Sequence, residues 1–358
     1  MSQFPSLGWR FAIACAPLTL TSLGLASLAS AQELQQAPPQ HQLGTPIDSA
    51  DTPRPTRDAG WFVLIRPEGQ ARAATIQRLA QLRGEIAMAP KALDKRAEFA
   101  ALVTSLEKSS RQAAAAAMSV ARAAGAEVGE PDAVLPGFYL GNASDQLVAT
   151  LAARDDVLDV QKLRWQLPAT ATAMNAAHHD GVGANALVVA GETVTGKGIG
   201  IAVLDSGLDL DMNGSGRPHA AFYANGVAGD LSGGGIIGSR IQENILVHPD
   251  FYAITSFEDI HGHGTRVAST IAGAKWSSGL DVGHAPAWDA DLYNLKISDD
   301  GIAGAPATTL AMSRALTEAI LHPDIRIANL SYDGHNDPGY FLNRKIDEAS
   351  NLGVLVTQ

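Results

Sequence analysis

The stretch HGHGTRVASTIAG, residues 261–273, sets His261 and His263 two residues apart, just before a Gly-Thr step and an apolar segment with helical spacing. Histidine titrates near neutrality, and it serves as a general base when a carboxylate holds its ring in one tautomer and leaves the other nitrogen free for a hydroxyl proton. A carboxylate of the right kind stands upstream. Residues 198–204 are apolar and β-branched and run into Asp205-Ser206-Gly207, a strand followed by a turn. Taken singly, each signal is weak: Asp-Ser-Gly is an ordinary turn, and a histidine before a helix is often a capping or solvent-facing residue. An Asp at a strand end and a His at a helix start, both facing the crevice of one sheet, would supply the geometry a general base needs.

The elements that must position this pair are legible around it. Residues 290–297, 325–331 and 353–357 read as further strands, with helical stretches at 307–321 and 339–351 between them. Strands alternating with helices predict an α/β fold with a mostly parallel sheet and helices on both faces. In such sheets ligands bind at the C-terminal ends of the strands, where Asp205 and Ser331 fall. The first half differs. Residues 61–65 begin a strand, and residues 71–124 are rich in Ala, Arg, Gln and Glu with a helix break at Pro90. Residues 133–135 and 137–140 read as strand, Ser144 or Asp145 opens a helix through Ala153, and 157–161 closes the unit as a strand. This order describes a small α+β domain in which the sequence offers no nucleophile, metal cluster or phosphate loop.

At 358 residues the chain has room for two cored domains and a leader. The first 167 residues carry 16 basic and 16 acidic side chains, so the whole formal charge of −11 lies in residues 168–358. An acidic second half lacks the clustered Lys and Arg that nucleic acid requires. Trp9-Arg10, an apolar run over 11–28 and Ala29-Ser30-Ala31 read as a cleaved export signal, which predicts a secreted protein, extracellular or periplasmic, without a stable membrane anchor. Cys15, the single cysteine, falls inside this leader. The expected organisation is a signal peptide at 1–31, a Gln- and Pro-rich linker at 32–59, a first domain at 60–167 and a second at 168–358.

From Gly196 onward the chain resembles the subtilisin-like serine peptidases. GKGIGIAVLDSGLD is similar to their catalytic-aspartate segment and HGHGTRVASTIAG to their catalytic-histidine segment. GHAPAWDADLYNLKI resembles the strand that follows the histidine helix, and IANLSYDG the strand that lines the substrate cleft. The resemblance implies hydrolysis of peptide bonds by an Asp-His-Ser triad, with Asp205 orienting His263 as the base and no catalytic part for His261. It implies that Ser331, Tyr332, Asp333 and Gly334 border a cleft where an extended peptide pairs as an added strand. It also implies that residues 60–167 are an inhibitory prodomain, so the expected partners are peptide or protein substrates and the chain's own prodomain, with a maturation cut between Leu167 and Asn185. No cofactor is required by this chemistry. The family's Gly-Thr-Ser-x-Ala segment is absent from the sequence, and its oxyanion asparagine would follow GVLVTQ. The expectation is therefore a fold whose C-terminal part lies beyond Gln358, and a chain that is inactive as given.

Two other readings stand beside this one. His261, His263, His178, His179, Asp180 and Asp259 would suit a zinc protein, although no further Cys or His follows closely enough to complete a readable ligand set. A non-catalytic peptide-binding module would use the same cleft without a serine. Asp209, Asp211 and Asn213 reproduce the first half of a calcium loop, with Ala220 where the bidentate Glu would stand, which leaves calcium as a candidate structural ion.

Overall fold

In β1 (Trp61–Ile65) every residue is apolar, and alternate side chains leave the strand on opposite faces. Val63 and Ile65 enter a core with Ala114, Ala117, Met118 and Ala121, whereas Phe62 and Leu64 enter a different core that includes Leu316, Phe341 and Leu342. The strand is continuously apolar because both of its faces are covered. The computed structural model describes residues 58–67, 69–169, 188–189, 191–211, 214–227, 229–247, 252, 256–275, 284–332 and 337–358. The export signal, all but the last two residues of the linker, His178, His179, Asp180, Asn213, Asp333 and Gly334 lie outside the described residues.

The amino-terminal part is built from β1, helix α1 (Gly69–Met88), helix α2 (Leu93–Ala123), β2 (Glu127–Val128), β3 (Gly137–Gly141), helix α3 (Asp145–Ala152) and β4 (Val157–Lys162). Its sheet is antiparallel in the order β2-β3-β1-β4. Ser144 caps α3 by accepting the Leu147 N–H. The strand expected over 133–135 is instead a turn. The Asp132 carboxylate accepts the N–H groups of both Val134 and Leu135, which bends the backbone away from a ladder. After β4 come β5 (Trp165–Gln166) and a two-stranded ribbon of β6 (Val188–Val189) and β7 (Glu192–Thr193).

The carboxy-terminal part comprises β8 (Gly200–Asp205), β9 (Ile241–Leu246), α4 (His263–Ala272), β10 (Asp291–Lys296), β11 (Ala307–Thr308), α5 (Thr309–Leu321), β12 (Ile325–Asn329), α6 (Phe341–Asn351) and β13 (Leu355–Thr357). Five of these strands form one parallel sheet in the order β13-β12-β8-β10-β9. Central β8 is buried along its whole length, as a parallel strand covered on both faces must be. Ile201 and Val203 pack with Val267, Ala268 and Ala272 of α4, while Ala202 and Leu204 join the core containing Leu310, Ala311 and Leu316 of α5. Strand β9 escaped the sequence reading because its Gln-Glu-Asn centre interrupts the apolar run, and only its first residue is fully buried.

The two parts share a core. Phe62 stacks on Phe341 with ring centroids 4.4 Å apart. Arg83 of α1 is fully buried and donates to the carbonyls of Leu352 at 2.9 Å, His322 at 2.6 Å, Ile325 at 2.6 Å and Ile320. Burial pushes its guanidinium down to about 9. Asp132 pairs with buried Lys345 of α6 and accepts the Thr317 hydroxyl of α5 at 2.7 Å. Among the described residues no helix is long and apolar enough to cross a membrane.

Candidate active site

Asp205 is the last residue of β8, the strand whose neighbours β10 and β12 lie on opposite sides of it, which makes its C-terminal end the switch point of the sheet. His263 is the first residue of α4. The helix start packs directly on the turn after β8: a Cβ added at Gly264 would sit 2.2 Å from the Gly207 carbonyl oxygen and 3.1 Å from Cβ of Asp205. Only a residue without a side chain allows that approach. It brings His263 Nδ1 to 2.7 Å from Asp205 Oδ1, with both side chains almost wholly buried. Asp205 Oδ1 also accepts the Ser206 N–H at 2.7 Å, and its Oδ2 has no partner among the described residues. Burial works against a charged His263, but the Asp205 carboxylate and its hydrogen bond outweigh burial and hold the ring above its ordinary value.

Two residues with no role in the sequence-derived pair complete the support. The Ser206 hydroxyl donates to Asp259 Oδ1 at 2.8 Å and accepts the Gly264 N–H at 2.9 Å. Asp259 also accepts the N–H groups of Gly262 at 2.8 Å and Thr265 at 2.7 Å, so it satisfies orphan donors of the first turn of α4. The spacing Asp-x-x-Gly-His-Gly-Thr carries that signal, but it can be interpreted only once Ser206 is known to be close by. The carboxylate of Asp259 is thus spent on the helix start and on Ser206. His261 lies on the approach to α4, half-buried, with a buried Nε2 that has no hydrogen-bond partner among the described residues.

The other ring nitrogen of His263 donates to the Ala169 carbonyl. Ala169 ends an extended segment of the amino-terminal part that crosses the sheet ends. Its own N–H donates to the Ser331 carbonyl at 2.8 Å, and Pro168 bridges Tyr332. Further back, β5 pairs antiparallel with β11, Gln166 opposite Ala307 and Trp165 opposite Thr308. Ser331 and Tyr332 at the end of the segment and β11 further back thus line a backbone groove that it occupies. Tyr332 is buried, donates its hydroxyl to the Ala305 carbonyl at 2.9 Å and meets the His263 ring edge-on.

A metal set does not form from the described residues. No three His, Cys, Asp or Glu side chains converge among them, and both nitrogens of His263 are already engaged. Asp211 turns its carboxylate to the Gly216 N–H. Asp209 is pushed up chiefly by burial, and Glu258 is pushed up to about 7 by burial and then by Asp209, Asp211 and Asp259. Asn213, the third calcium candidate, lies outside the described residues.

Residues 196–357 match the family model described as the Subtilase family. These residues belong to the subtilase family. The chain is 32% identical over 135 residues to an alkaline protease of Alkalihalobacillus alcalophilus, covering 35% of this chain and 33% of that one. It is 32% identical over 135 residues to subtilisin Savinase of Lederbergia lenta, covering 35% of this chain and 47% of that one. A thermostable alkaline protease of Halalkalibacterium halodurans is 31% identical over 135 residues, 35% of each chain. The matched region thus spans between a third and a half of the length of these curated relatives. The solved structure of Sphericase aligns over 46% of each chain at 23% identity with a TM-score of 0.27.

Proposed function

We propose that this chain belongs to a secreted subtilisin-type serine endopeptidase precursor in which Asp205 and His263 are two members of an Asp-His-Ser triad. The observation that carries the reading is the buried His263–Asp205 pair with a peptide carbonyl held at Nε2. In this role Asp205 fixes the tautomer through Nδ1, and Nε2 takes the proton of a serine hydroxyl as it attacks a carbonyl placed where Ala169 now lies. Residues 60–167 act as the prodomain, and the segment through Ala169 occupies the groove as an inhibitor. While Nε2 donates to Ala169 it cannot accept a proton, so the occupied groove silences the base. The maturation cut falls at Ala169–Thr170. The 358 residues contain no Gly-Thr-Ser-x-Ala, so this chain by itself does not hydrolyse peptides by the triad route. The test uses a chain that carries the family's serine and asparagine segments after residue 358. It should release a mature form beginning at Thr170 and lose both that cut and peptidase turnover in His263→Ala. Self-processing that survives His263→Ala would overturn the reading.

A second reading, a peptide-holding module without catalysis, is favoured by one feature: the groove binds a peptide segment without a serine. It predicts that the extended chain still holds peptides but never cuts at Ala169–Thr170.

A further inference from the structure

The groove-bound segment shows an unusual pattern of burial. An extended chain alternates its side chains between two faces, yet Trp165, Gln166, Leu167 and Pro168 are all buried. Both faces of the segment are therefore covered. Its backbone bonds to Ser331 and β11 hold any extended peptide alike, because main-chain pairing carries no side-chain information. Selection must come from what the side chains touch.

Trp165 touches Tyr252. The two rings stack with centroids 5.5 Å apart and an interplanar angle of 13°. Tyr252 is held in place from below. It is almost wholly buried, and its hydroxyl accepts the Thr308 N–H. Thr308 is also the residue that faces Trp165 in the β5–β11 pairing. One residue of β11 thus fixes both the backbone of the bound segment and the ring beneath its indole. A stacked aromatic pair contributes beyond its buried area, and the area itself is among the largest any side chain can bury. Trp165 lies four residues before Ala169, whose carbonyl faces His263, which places the ring roughly 13 Å from the reacting position along an extended chain.

We infer that Tyr252 is a specificity-determining platform, and that the groove selects extended polypeptides with an aromatic side chain four residues before the residue whose carbonyl meets His263. The inference rests on the peptidase reading of the groove, and its test separates the two. Amide hydrogen exchange on the full chain reports whether the segment is seated, because the Ala169 N–H is protected only while bonded to Ser331. Trp165→Leu and Tyr252→Leu, which keep apolar bulk without a ring, should each speed exchange at Ala169 by about tenfold or more, and the double variant should add little to either single. Trp165→Phe should stay near the parent. Exchange in β8 serves as the folding control, and Trp165→Tyr gives a second ring-bearing variant should a leucine variant unfold. Faster exchange at 165–166 with Ala169 unchanged would overturn the platform and leave the groove reading standing. An Ala169 amide already unprotected in the parent chain would overturn the groove reading itself.

Discussion

Asp259 accepts the backbone N–H of Thr265 at 2.7 Å, across the turn that carries His263 between them. With its bonds to Gly262 and Ser206, this contact sets the direction in which α4 leaves the sheet and so where its first side chain falls. Asp259→Ala should cost about 1–2 kcal/mol, as the loss of a helix cap does. Urea denaturation measures the cost, and a changed His263 ring resonance would report the displaced helix start. A variant with parent stability and an unmoved resonance would show that Asp259 does not position the histidine.

The occupied groove should loosen as pH rises. The Ala169 carbonyl can only accept, so Nε2 carries a proton, and with Asp205 ionised the ring that faces both is an imidazolium. Its pKa is raised: burial opposes the charge, and Asp205 more than offsets it. A cation with a raised pKa contributes stability that is whole below its ordinary value of about 6.5 and is lost as pH climbs through the raised value. Protection factors at the Ala169 amide should be flat below the ring's ordinary value and fall as pH climbs through its raised one. Protection that grows with pH would contradict the double-donor state.

Arg83 ties α1 to the sheet end through four carbonyls of the carboxy-terminal part. Arg83→Met keeps the apolar stem and strips the donors, leaving buried carbonyls without partners. A loss on the order of 3 kcal/mol is expected, since each unsatisfied buried group costs about 1–3 kcal/mol. A change under about 0.5 kcal/mol in a denaturant melt would mean that methionine packing replaces the bonds.

The two histidines should separate cleanly. In a chain carrying the family's serine segment, His263→Ala should remove turnover of an unfolded protein substrate by several powers of ten, whereas His261→Ala should cost less than about tenfold. Nothing among the described residues bonds the Nε2 of His261. Equal losses would mean that the base is assigned to the wrong ring.

Gln166 is a poor occupant of its place. Its side-chain oxygen is buried without a partner among the described residues. Gln166→Leu removes that unpaired acceptor and should slow Ala169 exchange by several-fold, because an unsatisfied buried polar group penalises the bound state. Faster exchange in this variant would indicate that the amide makes a contact the leucine cannot.

Asp205 and His263 were candidates in the sequence because each sits where a local pattern ends, a β-branched run before Asp-Ser-Gly and a Gly-Thr step before an apolar helix, and their expected roles came from the family resemblance. The parallel sheet was legible for the same reason, since a strand covered on both faces has to be apolar at every position, as β8 is. Those features depend on neighbours within a few residues, and the chain encodes them directly. The tertiary structure decided whatever joins residues far apart. Asp132 turned an apolar Ala-Val-Leu stretch into a loop because two N–H groups found a carboxylate before they found a strand. Ser206 and Asp259 became one support only when α4 closed on the turn after β8. Arg83 lies 237 residues or more from the carbonyls it satisfies, and Trp165 meets Tyr252 through a pairing with β11 that no periodicity announces. Hydrogen bonds and ring contacts are short-ranged in space and indifferent to distance along the chain, so these partners were settled only when the fold brought them together.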